Sequence, residues 1–289
     1  MKSERMAVDC VAPGTWVPMQ VVAHIRTDFP QKFGIPCQSG MVPEAQGRIV
    51  FEPEFAVNSA VKGLEGFSHL WLLWQFENGR PGGGAADLAA DAAGAVGAAG
   101  EPGAEAAPGD VAAGNASAPG AAAAPASGKR AWSPTVRPPR LGGATRMGVF
   151  ATRSPFHPNP LGLSCVRLER VELTDAGPVL HVRGADLRDN TPIFDVKPYV
   201  PYADCQPAAT GGFTEGIVPT VSQANVPAEL MERVPEQKRA ALLQVLENDP
   251  RPVGRHKPGR VYELAFAGLH VSFVGDADVL DVVDVRPLA

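Results

Sequence analysis

Three stretches of the chain gather side chains that could do chemistry. In the first, "RPPRLGGATRMGVFATRSPFHPNPLGLS", Arg137, Arg140, Arg146 and Arg153 share one loop–strand–loop. A guanidinium is a planar, permanently charged fork, so this set suits a phosphate or carboxylate partner. Pro155, Pro158 and Pro160 stiffen the backbone that carries it. A solvated charged loop is the competing reading. In the second, "DLRDNTPIFDVKPYVPYADC", the groups Asp186, Asp189, Asp195, Lys197, Tyr199 and Tyr202 crowd a strand–turn–strand stretch. Carboxylate, ammonium and phenol side by side can accept, hold or donate a proton. An ion-paired turn with aromatic packing would use the same residues. The third, "KFGIPCQSG" from Lys32 to Gly40, reads as a loop between strands with two glycines, one proline and polar atoms, unusual for pure scaffolding. His24, His69 and His157, taken singly, read as structural.

Several chemistries are excluded by missing patterns. No G-x-x-x-x-G-K-[ST] stands in the chain to cradle phosphates, and no G-x-G-x-x-G opens a helix after a strand. No G-x-S-x-G elbow is present. Cys10, Cys37, Cys165 and Cys205 form no C-x-x-C, and no histidine pair has metal-ligand spacing. Reduced thiols and no metal are expected. The polar start Met1 to Asp9 lacks the apolar run of a signal peptide, and no run of 18 apolar residues occurs. A cytoplasmic protein with no membrane span is the expectation.

The elements that must position these residues are short. The chain has 289 residues, 45% of them hydrophobic, which is enough for a sizeable core. It has 31 glycines and 29 prolines, and between about 79 and 130 the sequence is mostly Ala, Gly, Pro and acid. There the side chains are too small to offset chain entropy by burial, and a disordered insertion is expected. From Ala85 to Gly128 this stretch carries Asp87, Asp91, Glu101, Glu105 and Asp110 and no Lys or Arg, which equals the whole net charge of −5. The remainder is near neutral, so any basic surface must be local. "PMQVVAHI", "GRIVFEP", "FSHLWLLWQFE", "RMGVFAT", "LSCVRLERVEL" and "PVLHVRGADL" read as strands, and "FAVNSAVKGL" as a short helix or turn. Many short strands with Pro/Gly turns predict a mainly β barrel over 16–205. From 206 to 289 a small α+β domain is expected. Its helical stripe of Leu230, Val234, Ala241, Leu242, Val245 and Leu246 is broken at Pro235, and three strands follow.

Beyond these readings, "VRPPRLGGATRMGVFATRSPFHPNPLGLS", "GLEGFSHLWLL", "DNTPIFDVKPYVPYAD" and, from Asn248, "NDPRPVGR…RVYELAF" stand in the order seen in one family. The chain resembles the TsaA-like family of TrmO-type tRNA methyltransferases. The resemblance spans both patterned blocks and skips the insertion. It implies a β-barrel that binds S-adenosylmethionine, a homodimer, and methylation of N6 of threonylcarbamoyladenosine beside the anticodon, in the anticodon stem-loop of a threonine-type tRNA. It places the cofactor among Gln38, Ser39, Gly40 and Met41, then Phe76 and Glu77, Arg153 and Leu163, and Gly184, Ala185 and Asp186. Where the family pattern has Arg, this chain has Cys37 and His157; Asn190 replaces a Gly, and Gly254 a Tyr.

The mechanism so implied is direct transfer to nitrogen, in which the protein positions and desolvates the partners. Asp186, Asp195, Tyr199 or water are candidate proton acceptors, and Lys197 a candidate for a phosphate or the threonyl carboxylate; Asp195, Lys197 and Tyr199 form the candidate catalytic set. Arg137, Arg140 and Arg146 are candidates for tRNA phosphates, and Asp249 and Arg251 for reading the anticodon loop. Two other readings use the same residues: a non-catalytic RNA-binding or dimeric interaction protein on this barrel, and a methyltransferase of another small substrate. Deleting Ala85 to Gly128 is expected to leave transfer nearly intact. A large loss of rate in a folded deletion variant would give that stretch a working role.

Overall fold

The computed structural model describes residues 18–76, 133–138, 145–215, 223–252 and 259–288. Glu77, Arg140 and the Ala/Gly/Pro-rich stretch lie outside the described residues. The first unit is built from β1 (Ala23–Thr27), β2 (Gln46–Phe51), β3 (His69–Gln75), β6 (Leu161–Thr174), β7 (Gly177–Arg183) and β8 (Thr191–Pro198). Between β3 and β6 in sequence, β4 (Thr135–Val136) and β5 (Met147–Gly148) form a separate two-stranded ribbon. The six larger strands close a barrel in the order β1, β2, β7, β6, β3, β8, with every pair antiparallel. The alternation of side chains explains the closure. Leu70, Leu72 and Trp74 of β3, Val166 and Leu168 of β6, Leu180 and Val182 of β7, and Ile25, Ile49 and Ile193 fill the interior.

β6 is long enough to serve two neighbours in turn. Over Leu161–Arg167 it pairs with β3, and over Arg167–Thr174 with β7. The edge of its first half that faces away from β3 is therefore left without a strand partner. Gly162 has no side chain, and the Trp74 ring lies over it: a Cβ there would come within 2.2 Å of the ring.

"FAVNSAVKGL" forms 3₁₀ turns at Asn58–Val61 and Leu64–Gly66. The expected strand "RMGVFAT" shrinks to the two residues of β5, and Val149–Ala151 is a 3₁₀ turn. Pro134 and Pro138 bracket β4, and a residue without an N–H cannot lengthen the ladder.

The C-terminal unit has a four-stranded sheet of β10 (Val261–Phe266), β11 (Leu269–Asp276), β12 (Val279–Pro287) and β9 (Gln223–Asn225), the last joined in parallel. Helices Ala228–Met231 and Glu236–Glu247 are separated at Pro235, which immediately precedes the second. The second core brings together Leu242, Val245, Leu246, Leu264, Phe266, Phe273 and Leu280.

A division of the chain at 205/206 gives the segment between β1 and β2 to the barrel. Its apolar side chains lie elsewhere: Phe29, Val42 and Ala45 are buried in the second core, with Phe33 and Ile35 packed against it. At Gly34, φ is +91° and a Cβ would sit 2.0 Å from Leu264 Cδ1. Gly34→Ala thus combines left-handed strain with overpacking. It is expected to lower stability by roughly 2–4 kcal/mol, measured by urea unfolding.

Candidate functional site

The unpaired edge of β6 is where most of the expected cofactor residues meet. The Cys165 N–H, which has no strand to bond there, donates to Ser39 Oγ at 3.1 Å. The Gly40 N–H donates to the Gly184 carbonyl at 2.9 Å. Both glycines have positive φ, and a Cβ on Gly184 would come within 3.3 Å of Gly40 Cα and N. A side chain on Gly184 would crowd this approach, while Gly40 uses glycine for its left-handed φ of +78°. Arg153 Nη1 reaches the same loop, donating to Gln38 Oε1 at 2.7 Å. Gln38, Ser39, Gly40, Arg153 and Gly184 are thus brought together from three remote parts of the chain. Met41 comes next in the same loop and Ala185 is buried behind it.

Asp186 is tied to the barrel interior. Ser164, fully buried, donates its hydroxyl to Asp186 Oδ1 at 2.6 Å, and accepts the indole N–H of Trp74 at 2.9 Å. Trp74 packs on Phe76 with ring centroids 4.3 Å apart. Burial is the largest influence on the Asp186 carboxyl and pushes it above the ordinary carboxylate range. The Ser164 hydroxyl, the backbone N–H groups of Asp186 and Ser39, and the Arg153 charge favour the ionised form and pull the other way. Ser164 and Trp74 are absent from the candidates that the sequence yields. The signal is there: Ser164 falls on the inward face that Val166 and Leu168 line, where an unpaired hydroxyl would be costly.

Asp195, Lys197 and Tyr199 lie on the outside of the barrel wall. Between Leu73 and Trp74 the β3–β8 register shifts, so that Ile193 pairs with Trp74 and Asp195 with Leu73. This bulge turns Asp195 out of the core that Ile193 occupies. Across three strands, Leu163, Leu73 and Asp195 form one row, and Cys165, Trp71 and Lys197 the next. Leu163, half exposed, therefore shares a surface with the candidate catalytic groups. Lys197 Nζ meets Asp195 Oδ2 at 2.8 Å, and this hydrogen bond holds the ammonium charged. Tyr199 packs its ring 5.9 Å from Trp71 and 6.2 Å from His69. Desolvation, then the neighbouring Cys205 and Asp204, keep its phenol protonated above the ordinary range.

Among the arginines, Arg137 and Arg146 are exposed on the β4–β5 ribbon. Val136 pairs with Met147, and extending that register sets Arg137 opposite Arg146. Arg146 Nη1 donates to Thr135 Oγ1 at 2.8 Å. Phe150 stands on the 3₁₀ turn after β5, 73% exposed and edge-on to His157. The sequence alone does not single out this aromatic beside the arginines. His157 donates Nε2–H to the Thr152 carbonyl, closing its own loop. Asp249 and Arg251 do not join this surface. The Arg251 guanidinium is buried, bonds both Asp249 oxygens at 2.7 and 2.9 Å, and donates to the Ala277 carbonyl. The expectation that Arg251 meets RNA is corrected by its burial, because its charge is already matched inside the protein. Among the described residues, no cluster of three His, Cys, Asp or Glu could hold a metal ion.

A glycine crossing, a guanidinium and an enclosed carboxylate suit a small ligand that carries both an anionic group and hydrogen-bond donors. Comparison with known proteins bears on which. Residues 24–94 and 123–205 match the family model described as the tRNA-methyltransferase O N-terminal domain. The chain is 32% identical over 249 residues to the tRNA (adenine(37)-N6)-methyltransferase of Escherichia coli (strain K12), covering 83% of this chain and 86% of that one. It is 33% identical over 272 residues to a putative S-adenosylmethionine-dependent methyltransferase, RcsF, of Pseudomonas aeruginosa, covering 91% and 95%. A crystal structure of TrmO from Pseudomonas aeruginosa superposes with a TM-score of 0.63 at 27% identity, covering 94% of this chain and 98% of that one.

The Ser164 link has a testable pH signature. Ser164→Ala leaves the Trp74 N–H buried without its acceptor and removes a bond to a carboxylate. A loss of about 1–3 kcal/mol at neutral pH is expected from chemical denaturation. Because folding raises the Asp186 pKa, its ionisation opposes folding above the ordinary value, and Ser164 offsets part of that. The deficit of Ser164→Ala should therefore shrink as pH falls through the raised pKa of Asp186. A deficit independent of pH would mean that Ser164 serves Trp74 alone.

Proposed function

The chain belongs to the tRNA-methyltransferase O family, and on that membership and the geometry of its site we propose an activity for it. It is an S-adenosylmethionine-dependent tRNA methyltransferase that acts on N6 of adenosine 37. The finer substrate is adenosine already bearing the threonylcarbamoyl group, in a threonine-type tRNA, and the enzyme works as a homodimer in the cytoplasm. The single observation that carries the reading is the meeting of loop Gln38–Met41, Arg153 and Gly184–Asp186 at the open edge of β6, beside a wall bearing Asp195 and Lys197.

When bound, S-adenosylmethionine supplies its sulfonium methyl to the nitrogen, leaving S-adenosylhomocysteine and a proton to be taken up. Gln38, Ser39, Gly40, Met41, Phe76, Arg153, Leu163, Gly184, Ala185 and Asp186 are the chain's means of holding it, and Glu77 is next to Phe76 in sequence. Arg153 is the group suited to a carboxylate, and Asp186 to hydroxyl or amino donors. On the outer wall, Lys197 stays charged and suits the threonyl carboxylate. Asp195, outward-facing beside Lys197, is the carboxylate on this wall that accepts the proton. Arg137 and Arg146 meet phosphates, with Arg140 between them in sequence. Phe150 offers an exposed ring on which an unpaired anticodon-loop base can stack.

The protein is incubated with S-adenosylmethionine and tRNA carrying the threonylcarbamoyl group, and the digested nucleosides are analysed by mass. One added methyl on that nucleoside, absent with unmodified tRNA, is expected. Methylation of another nucleoside would move the substrate. Absence of any transfer together with absence of cofactor binding would favour a non-catalytic RNA-binding protein. Asp195→Asn should lower kcat on the order of a hundredfold. Arg137→Ala with Arg146→Ala should weaken tRNA binding and reduce its salt slope by about two.

A further inference from the structure

The helix Glu236–Glu247 touches the segment between β1 and β2 at three levels. Near its start, Lys238 Nζ donates to Asp28 Oδ2 at 2.6 Å and to Gln46 Oε1 at 2.9 Å, joining the outgoing and returning stems. Further along, Gln244 Oε1 accepts the Glu44 N–H at 3.0 Å. Just past the end, Asn248 Nδ2 donates to the Met41 carbonyl at 3.1 Å and to the Gln244 carbonyl at 2.8 Å. Gln244 and Asn248 are four residues apart and share a helix face. The barrel holds the same loop from its other side, through Gly184 on Gly40 and Cys165 on Ser39.

The turn after Asn248 is held by its own side chains. Asp249 has a φ of +46° and turns the chain. Arg251 locks it by donating to both Asp249 oxygens, and ties it to Ala277 in the turn between β11 and β12. Asn248 is therefore fixed both by its helix and by the hairpin beyond it.

We propose that the end of this helix, through Gln244 and Asn248, is a positioning device of the C-terminal unit that sets the backbone of the cofactor loop Gln38–Glu44 against the barrel. The inference rests on the reading of that loop as cofactor-binding. Gln244 and Asn248 touch neither cofactor nor RNA; they act through Glu44 N–H and the Met41 carbonyl. Asp249 and Arg251 hold the turn that holds Asn248.

Asn248→Asp is nearly isosteric and replaces the donor to Met41 with an acceptor; Gln244→Leu removes the acceptor for Glu44; Gln244→Glu keeps an acceptor oxygen. Three readouts are taken: hydrogen exchange of the ligand-free protein, calorimetric binding of S-adenosylhomocysteine, and steady-state kinetics. For Asn248→Asp and Gln244→Leu, faster exchange confined to residues 38–44 is expected. Affinity for S-adenosylhomocysteine should fall roughly three- to tenfold, as loss of one hydrogen bond predicts. KM for S-adenosylmethionine should rise alike, with kcat kept within about twofold. Gln244→Glu should behave as the unsubstituted chain. Unchanged exchange and affinity in folded Asn248→Asp would overturn the proposal and leave the helix as packing alone. If the unsubstituted protein binds no S-adenosylhomocysteine, the cofactor reading fails, while exchange at residues 38–44 still decides whether the helix sets the loop.

Discussion

The segment that leaves the barrel after Thr27 must return at Gly47, its direct partner across two adjacent strands. An excursion pinned to a single strand spacing has only two ways to be stable: collapse onto the barrel, or bury its apolar side chains in something else. Here Phe29, Val42 and Ala45 enter the core built by the C-terminal sheet and helices. The polar tip that remains, from Cys37 to Gly40, is pressed back against the barrel where β6 has no strand partner. Two cores thus hold one loop from opposite sides. Its geometry is consequently not a property of the loop's own sequence. Asp28 and Lys238, each mostly buried, form an ion pair at the stem, where neither charge is left uncompensated.

The partner change of β6 is the second half of the same constraint. A strand that hands over from β3 to β7 exposes N–H groups on the edge it has not yet paired. One of those donors, the Cys165 N–H, is taken up by Ser39 Oγ, so the loop between β1 and β2 stands where a strand would otherwise pair. The absence of a glycine-rich fingerprint ahead of a helix is consistent with this arrangement. Glycine appears instead at Gly40 and Gly184, where two loops cross.

Asp186 and Asp195 live in different surroundings. Asp186 is enclosed and hydrogen-bonded by Ser164, with Arg153 near enough to favour its charge. Asp195 is on the outer wall, paired with Lys197, and it faces outward only because the register slips between Leu73 and Trp74. Glu44 and Glu169 both meet Arg183 at the end of β7, and these contacts hold the guanidinium firmly charged. That cluster anchors the returning stem of the segment between β1 and β2 to the strand from which Gly184 emerges.

Much of this protein is legible in its residues. Strand patterning, the helix break at Pro235 and the barrel class follow from local periodicity and from proline's missing N–H, which act over a few residues. The motif-bearing stretches identify Gln38 to Met41, Arg153 and Gly184 to Asp186 as a group, although nothing in spacing alone says that they touch. Tertiary structure decided the rest. Arg251 looks like an RNA contact in sequence, yet it is buried on Asp249. Ser164 looks like an ordinary strand residue, yet it links Trp74 to Asp186. The membership of Phe29, Val42 and Ala45 in the second core could not be read from a segment lying between two barrel strands. Local pattern reports which face of an element is apolar. It does not report which remote surface that face will meet, because that is chosen by the whole chain's burial of apolar area and its matching of buried charges.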